Sequence, residues 1–208
     1  MGKLFTTGLT SSILIVAILL IGMTVASVIS SETTDSISEQ DLEDITQETI
    51  DEISTYILIK DKIGKFMEVN GEQRIEKIAL WITPLVSQEI DVSQLTIQLN
   101  NGENVLFLKY SNNSVDLGQY SLFEHIIWDN INGSNFGFVS IIDLDASLVN
   151  LDTFNDCSDN AYVVFRLPEF MALSKHEKII VTLFPSTGIT RVLELKAPLP
   201  IKSVVTFD

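Results

Sequence analysis

Five aspartates crowd one stretch past the middle of the chain: Asp143, Asp145, Asp152, Asp156 and Asp159. Carboxylate oxygens are the ligands that Ca²⁺ prefers. The spacing does not follow the EF-hand pattern, so a solvated acidic loop is the simpler reading, with Asp143, Asp145 and Asp152 as the candidate ligands. Two other motifs carry modification chemistry. Asn112-Asn113-Ser114 and Asn132-Gly133-Ser134 are N-glycosylation sequons, both expected in loops, with Asn112 and Asn132 as acceptors. Catalytic patterns are not found. His125 and His176 lie far apart in sequence, and no serine elbow, metal-binding His pair or Gly-rich phosphate loop accompanies them. His176 reads as an exposed turn residue. The single cysteine, Cys157, excludes an internal disulfide framework and a cysteine-rich zinc site, and reads as an ordinary thiol in or near a loop. The aromatic residues from Phe107 to Trp128 read as sheet core and rim. The expectation is a protein that is not an enzyme and holds no cofactor.

The elements that must position these residues fall into two kinds. From Leu9 to Ile29 the chain is apolar and uncharged. As a helix rising about 1.5 Å per residue, this run spans roughly the hydrocarbon thickness of a bilayer. Lys3 precedes it, and an acidic segment from Glu32 to Glu52 follows, with no Lys or Arg between residues 4 and 59. A basic start and an acidic exit place the N-terminus in the cytoplasm and the remainder outside. Ile37, Ile45, Ile50, Ile53 and Ile57 then recur mostly at helical spacing, which predicts one continuous helix over residues 9–56. A cleaved secretory signal ending near Ala26-Ser27-Val28 is the alternative. Within the run, Ala17, Gly22, Ala26 and Ser27 are small enough to let helices approach closely. A helix apolar all round needs lipid or other helices around it.

Beyond Tyr56 the period changes to two. Tyr56 to Glu68 reads as the end of the helix and a first strand, and further predicted strands cover Arg74 to Thr83, Leu95 to Leu99, Asn104 to Tyr110, Ser121 to Trp128, Phe136 to Ile142, Ala161 to Leu167, Lys178 to Phe184, Ile189 to Lys196 and Ile201 to Phe207. Asn70-Gly71 and Pro185 to Gly188 supply hairpin turns. Asn104 to Tyr110 is apolar on both faces and is expected to be central. Many short strands with regular turns, and no strand–helix alternation, predict an α+β chain: a long N-terminal hydrophobic α-helix followed by an antiparallel, Ig-like β-sandwich. The domain plan is residues 1–8 as a short leader or tail, 9–56 as the helix and 57–208 as the sandwich. The net charge of −15 on 208 residues excludes a nucleic-acid partner, which needs a basic stripe.

With these segments in view, the chain resembles the archaellins, the type IV pilin-like archaeal flagellins. Gly8, Ile13-Leu14-Ile15-Val16-Ala17 and Val25-Ala26-Ser27-Val28 lie on the family's N-terminal block. Ile75 to Pro84, then Glu89 to Ile97 with its Ile-Asp-x-Ser segment, resembles the opening of the family's sandwich, and Ile179 to Leu199 resembles its C-terminal strands. The resemblance implies a precursor held in the cytoplasmic membrane by the apolar helix. A prepilin-type peptidase would remove the leader, and an assembly ATPase and platform would deliver the chain to an extracellular motility filament, the archaellum. The helix would then pack in the filament core, in a homo- or hetero-oligomer with other archaellins. The acidic sandwich would lie outside as a glycoprotein sheath. The basic residue and glycine expected before the cut do not occur in that order in Met1 to Gly8. An atypical leader, a chain already shortened or altered, and an uncut accessory relative all stay open. An anchored stator protein of the same machinery and an adhesion-pilus subunit are the alternative functions.

Overall fold

The computed structural model describes residues 56–69, 71–87, 89–185, 189–200 and 202–207. The expected leader, the apolar run, the helix up to residue 55 and the packing residues Ala17, Gly22, Ala26 and Ser27 lie outside them. Among the described residues, no helix is long and apolar enough to cross a membrane.

Eleven strands lie among the described residues: β1 (Ile57–Val69), β2 (Glu72–Pro84), β3 (Ile90–Asp91), β4 (Thr96–Asn100), β5 (Val105–Asp116), β6 (Asn135–Ile142), β7 (Thr153–Phe154), β8 (Asn160–Arg166), β9 (Lys178–Phe184), β10 (Arg191–Lys196) and β11 (Val204–Thr206). One short helix, α1 (Ser147–Leu151), precedes β7. Nine strands form one sheet in the order β10-β9-β4-β5-β6-β8-β2-β1-β11, and β3 pairs with β7. The β1–β2 hairpin turns at Gly71, whose φ of 81° is open to glycine at little cost.

The alternation read in the sequence becomes an inside and an outside. Ile78, Leu80 and Ile82 are fully buried on one face of β2. They join Phe66, Ile97, Leu99, Leu108, Phe136, Phe138, Val163, Phe165, Ile179, Val181 and Leu195 in one apolar core. Side chains from both ends of the strand order meet there, so the sheet curls around its own inner face. Arg191 at the start of β10 stacks on the ring of Tyr56, just before β1, at 4.6 Å from the centroid. This contact spans the two ends of the sheet.

Two expectations change. The sheet is mixed, not wholly antiparallel, because β5 and β6 run parallel. Parallel neighbours need a crossover that carries the chain back along the sheet. Residues 117–134 make it, and this is why the expected strand at Ser121 to Trp128 does not form. Leu122–Glu124 and Ile126–Asp129 are short 3₁₀ turns instead. They place Phe123, Ile127, Trp128 and Ile131 against Ala79, Val139 and Val164 on the outer face of the sheet, a second apolar cluster. Phe123 and Trp128 stack with centroids 5.8 Å apart. Lys77 of β2 lies 4.9 Å from the Trp128 ring centroid and donates to the Phe123 carbonyl at 3.2 Å. His125 is buried as a cap: its Nδ1 accepts from the Ile127 amide, and its Nε2 lies 3.1 Å from the Asp116 carbonyl. β5 is interior in strand order, as expected, but only one of its faces is covered. Val105 and Phe107 stay exposed.

Candidate functional site: the acidic loop and the two sequons

The loop after β6 is built by carboxylates that accept backbone amides. Asp143 takes the amides of Ser147 (3.0 Å), Leu148 (3.1 Å) and Val149 (3.3 Å), the donors at the start of α1. Those amides lack partners within so short a helix, so a carboxylate just upstream satisfies them. Asp145 accepts from Ser147 N at 3.1 Å and from Asn155 Nδ2 at 2.6 Å. Asp159, 2% exposed, accepts the amides of Asn155 and Asp156, both at 3.1 Å. Oxygens of Asp143, Asp145 and Asp159 lie within 4.8 Å of one another. A cleft of about 250 Å³ beside them is lined by Leu144, Asp145, Asn155 and Asp156.

The environments separate these acids. Burial pushes the Asp143 carboxyl above the ordinary range, with the neighbouring Asp145 adding to it. The Asn155 amide and the Ser147 amide hold Asp145 down at about 2. The arrangement is a turn-holding network with oxygen-ligand chemistry, all of it carboxylate.

Asp152 departs from the expected set. It sits in a left-handed conformation (φ 55°) at the end of α1 and points elsewhere. Its Oδ1 accepts from the Tyr110 hydroxyl and, at 3.4 Å, from Ser114 Oγ. Asp159 takes its place in the cluster. The Asp-x-Asp-x-Ser run ahead of α1 is the signal that marks Asp143 and Asp145 as amide acceptors. The Tyr110–Ser114–Asp152 group had no sequence signal, since its members lie on separate elements.

The two sequons differ. Asn132 is exposed in a turn, and Ser134 donates to its Oδ1 from both N (2.9 Å) and Oγ (2.6 Å). Asn112 lies within strand β5, not in a loop, at an irregularity where β5 advances from Tyr110 to Ser114 while β6 advances from Phe136 to Phe138. Asn112 takes up the misfit with φ of 52°. Its partner Ser114 is half-buried, with its hydroxyl 2.7 Å from that of Tyr110. His176 is exposed, as read from the sequence, and Cys157 lies exposed in the turn between β7 and β8.

Fold and site together define a β-rich module in which the polar side chains described above hold turns and a strand irregularity. The chain belongs to the archaeal-type flagellin family, whose family model matches residues 6–195. Flagellin B3 of Methanocaldococcus jannaschii is 27% identical over 134 residues, which cover 61% of this chain and 61% of that protein. The chain thus matches about 61% of the length of this curated relative. The crystal structure of archaeal flagellin FlaB1 from Methanocaldococcus jannaschii shares the fold with a TM-score of 0.64 at 22% identity, over 73% of this chain and 95% of that one. The archaeal flagellum of Methanospirillum hungatei strain JF1 gives a TM-score of 0.51 at 9% identity, over 100% of this chain and 99% of that one.

Proposed function

We propose that this chain is a structural subunit of an extracellular archaeal motility filament, polymerising through its N-terminal helix with the β domain outside. The observation that carries this is the reach of the family match, residues 6–195, which takes in both the apolar run and the β domain. A filament subunit needs both: an apolar helix buried among its copies, and an acidic exterior that keeps filaments dispersed. On this reading residues 9–56 are the helix and 57–208 the outer domain. Ala17, Gly22, Ala26 and Ser27 are the close-packing positions, and the same helix holds the precursor in the cytoplasmic membrane until a prepilin-type peptidase and the assembly machinery act. Asn132 is the favoured glycan acceptor, with Asn112 second. The acidic loop serves to close the turn around α1, without metal, and the chain itself catalyses nothing.

Electron microscopy and mass spectrometry of sheared surface appendages test the proposal. The chain is expected as a bulk component of a filament, with Leu9 to Ile29 retained in its mature N-terminal peptide. Recovery from membranes alone, or a mature N-terminus beyond residue 26, would overturn it.

A further inference from the structure

Asn-Gly occurs three times in the chain, at Asn70-Gly71, Asn101-Gly102 and Asn132-Gly133. The pair is a good turn and also a chemically weak bond. Glycine has no side chain to crowd its own amide nitrogen, so that nitrogen can reach the Cγ of the asparagine before it. Asparagine is thermolabile by this route. Two features of the fold set the rate at each place: whether the glycine nitrogen is free, and whether the side-chain carbonyl is polarised. Asn70 lies outside the described residues. The other two pairs are held differently.

At Asn101-Gly102 the nucleophile is engaged. Gly102 N donates to Asn100 Oδ1 at 2.8 Å, in the turn from β4 to β5. Attack on Asn101 would give up this bond. The Asn101 carbonyl is polarised, since its Oδ1 accepts the amides of Glu103 (3.2 Å) and Asn104 (2.8 Å). The nitrogen is therefore what restrains this pair.

At Asn132-Gly133 the carbonyl is polarised and the nitrogen is free. Ser134 donates to Asn132 Oδ1 from N at 2.9 Å and from Oγ at 2.6 Å. A backbone N–H only donates, so the atom facing Ser134 is the oxygen, and Nδ2 is turned from it. Gly133 N makes no hydrogen bond among the described residues. Asn135 frames the loop from both sides: its Oδ1 accepts the Asn132 amide at 2.8 Å, and its Nδ2 donates to the Asn130 carbonyl at 3.3 Å. Asn132 and Ser134 are exposed, so water has access.

We infer that Asn132, where it carries no glycan, is a self-modification site that converts through a succinimide to aspartate and isoaspartate. The bond from Gly133 N to Asn132 Cγ forms and the Cγ–Nδ2 bond breaks. The Gly133 amide proton goes to hydroxide, and Nδ2 leaves as ammonia with a proton from water. Water then opens the ring at either carbonyl, and nothing is oxidised or reduced. The negative charge of the tetrahedral step develops on Oδ1, where the two Ser134 donors already lie at hydrogen-bond distance. Glycan attachment needs the same Nδ2 that this reaction expels, so the two fates compete and conversion ends the sequon permanently. Isoaspartate also routes the main chain through Cβ, which adds one backbone atom just ahead of β6. The Ser134 carbonyl accepts the Lys109 amide there at 3.2 Å, so the change falls where β6 joins β5.

This chemistry is independent of whether the chain polymerises. Its test uses the unglycosylated full chain in detergent, aged in mild alkali, with peptide mass spectrometry and isoaspartate detection at each Asn-Gly pair. Position 132 is expected to convert several-fold faster than position 101 in the folded chain, with a rate that rises in proportion to hydroxide. In denaturant the two rates should draw together. Ser134→Ala removes the hydroxyl donor and should slow position 132 several-fold in the folded chain while leaving position 101 as it was. Asn100→Ala frees the Gly102 amide and should speed position 101. An inert position 132, or folded conversion at position 101 as fast as at 132, would overturn the assignment. So would a wild-type ratio that is unchanged by unfolding, a comparison that needs no variant to fold. An unaltered rate at position 132 in folded Ser134→Ala, or at position 101 in folded Asn100→Ala, would overturn the roles given to the Ser134 donors and the glycine nitrogen respectively.

Discussion

The hydroxyl of Tyr110 on β5 donates to the carboxylate of Asp152 at the end of α1, a link between residues 42 positions apart. Burial and the adjoining Asp152 carboxylate raise the pKa of this phenol well above its usual value. The proton shared in this bond holds the acidic loop against the irregular middle of β5. Tyr110→Phe removes the donor and leaves the half-buried Asp152 with only the long contact to Ser114. A loss of about 1–2 kcal/mol in unfolding free energy is expected, read from the denaturant midpoint. A raised folded pKa means that the stabilisation is complete below the unfolded value of 10.0 and fades as pH rises toward the folded one. The wild-type excess over Tyr110→Phe should therefore shrink only in strong alkali.

Gly137 of β6 sits under the β5 irregularity. A Cβ there would lie 2.7 Å from the Asn113 carbonyl oxygen and 3.1 Å from Ile127. The first of these is backbone, so it cannot swing aside. Gly137→Ala is expected to cost about 1–3 kcal/mol through overpacking, seen as a lower thermal midpoint. An unchanged midpoint would mean that the β5 irregularity yields freely.

The acid side of the stability profile follows from the loop carboxylates. Asp145 is held at about 2, and Asp91 and Asp156 are also lowered, by hydrogen bonds chiefly from Ser93 and Ser158 respectively. Each depressed acid contributes stability that is present above its unfolded pKa near 3.8 and lost as pH falls through its folded value. Asp143, raised by burial, acts in the opposite sense. With four lowered acids, Glu124 beside Lys65 included, against one raised, stability should fall as pH drops from about 4 toward 2. Asp145→Asn should flatten that fall, measured by denaturant titration across this window.

Glycan occupancy should separate the two sequons. Ser134 donates to Asn132 in an exposed turn, whereas Ser114 is engaged by Tyr110 and Asp152 inside a strand. In intact-mass spectra, Asn132→Gln should remove one glycan mass and Asn112→Gln should leave the wild-type pattern. The reverse result would show that attachment precedes folding of β5.

Much of the fold was legible along the chain. The faces of β2, the β4 and β9 strands and the Gly71 turn all follow from alternation and local turn chemistry, because each depends only on residues next to each other. The segment from Ser121 to Trp128 misled because its apolar residues suit either a strand or a covering layer. What decides between them is the parallel pairing of β5 with β6, a fact about distant strands. Asn112 was expected in a loop for a similar reason, since a strand irregularity is set by the partner strand and carries no local mark.

By itself the sequence determined an apolar, uncharged N-terminal run, an acidic chain poor in catalytic motifs and a β-rich body, since these depend on composition and period alone. Only the tertiary structure decided which carboxylates converge. It sent Asp152 to Tyr110 and brought Asp159 to Asp143 and Asp145, because a left-handed turn at the end of α1 reverses the chain between them. It also decided which half of the sheet stays open. A crossover of limited length covers the strands that it returns across, and it leaves Phe107 and Val192 to the outside.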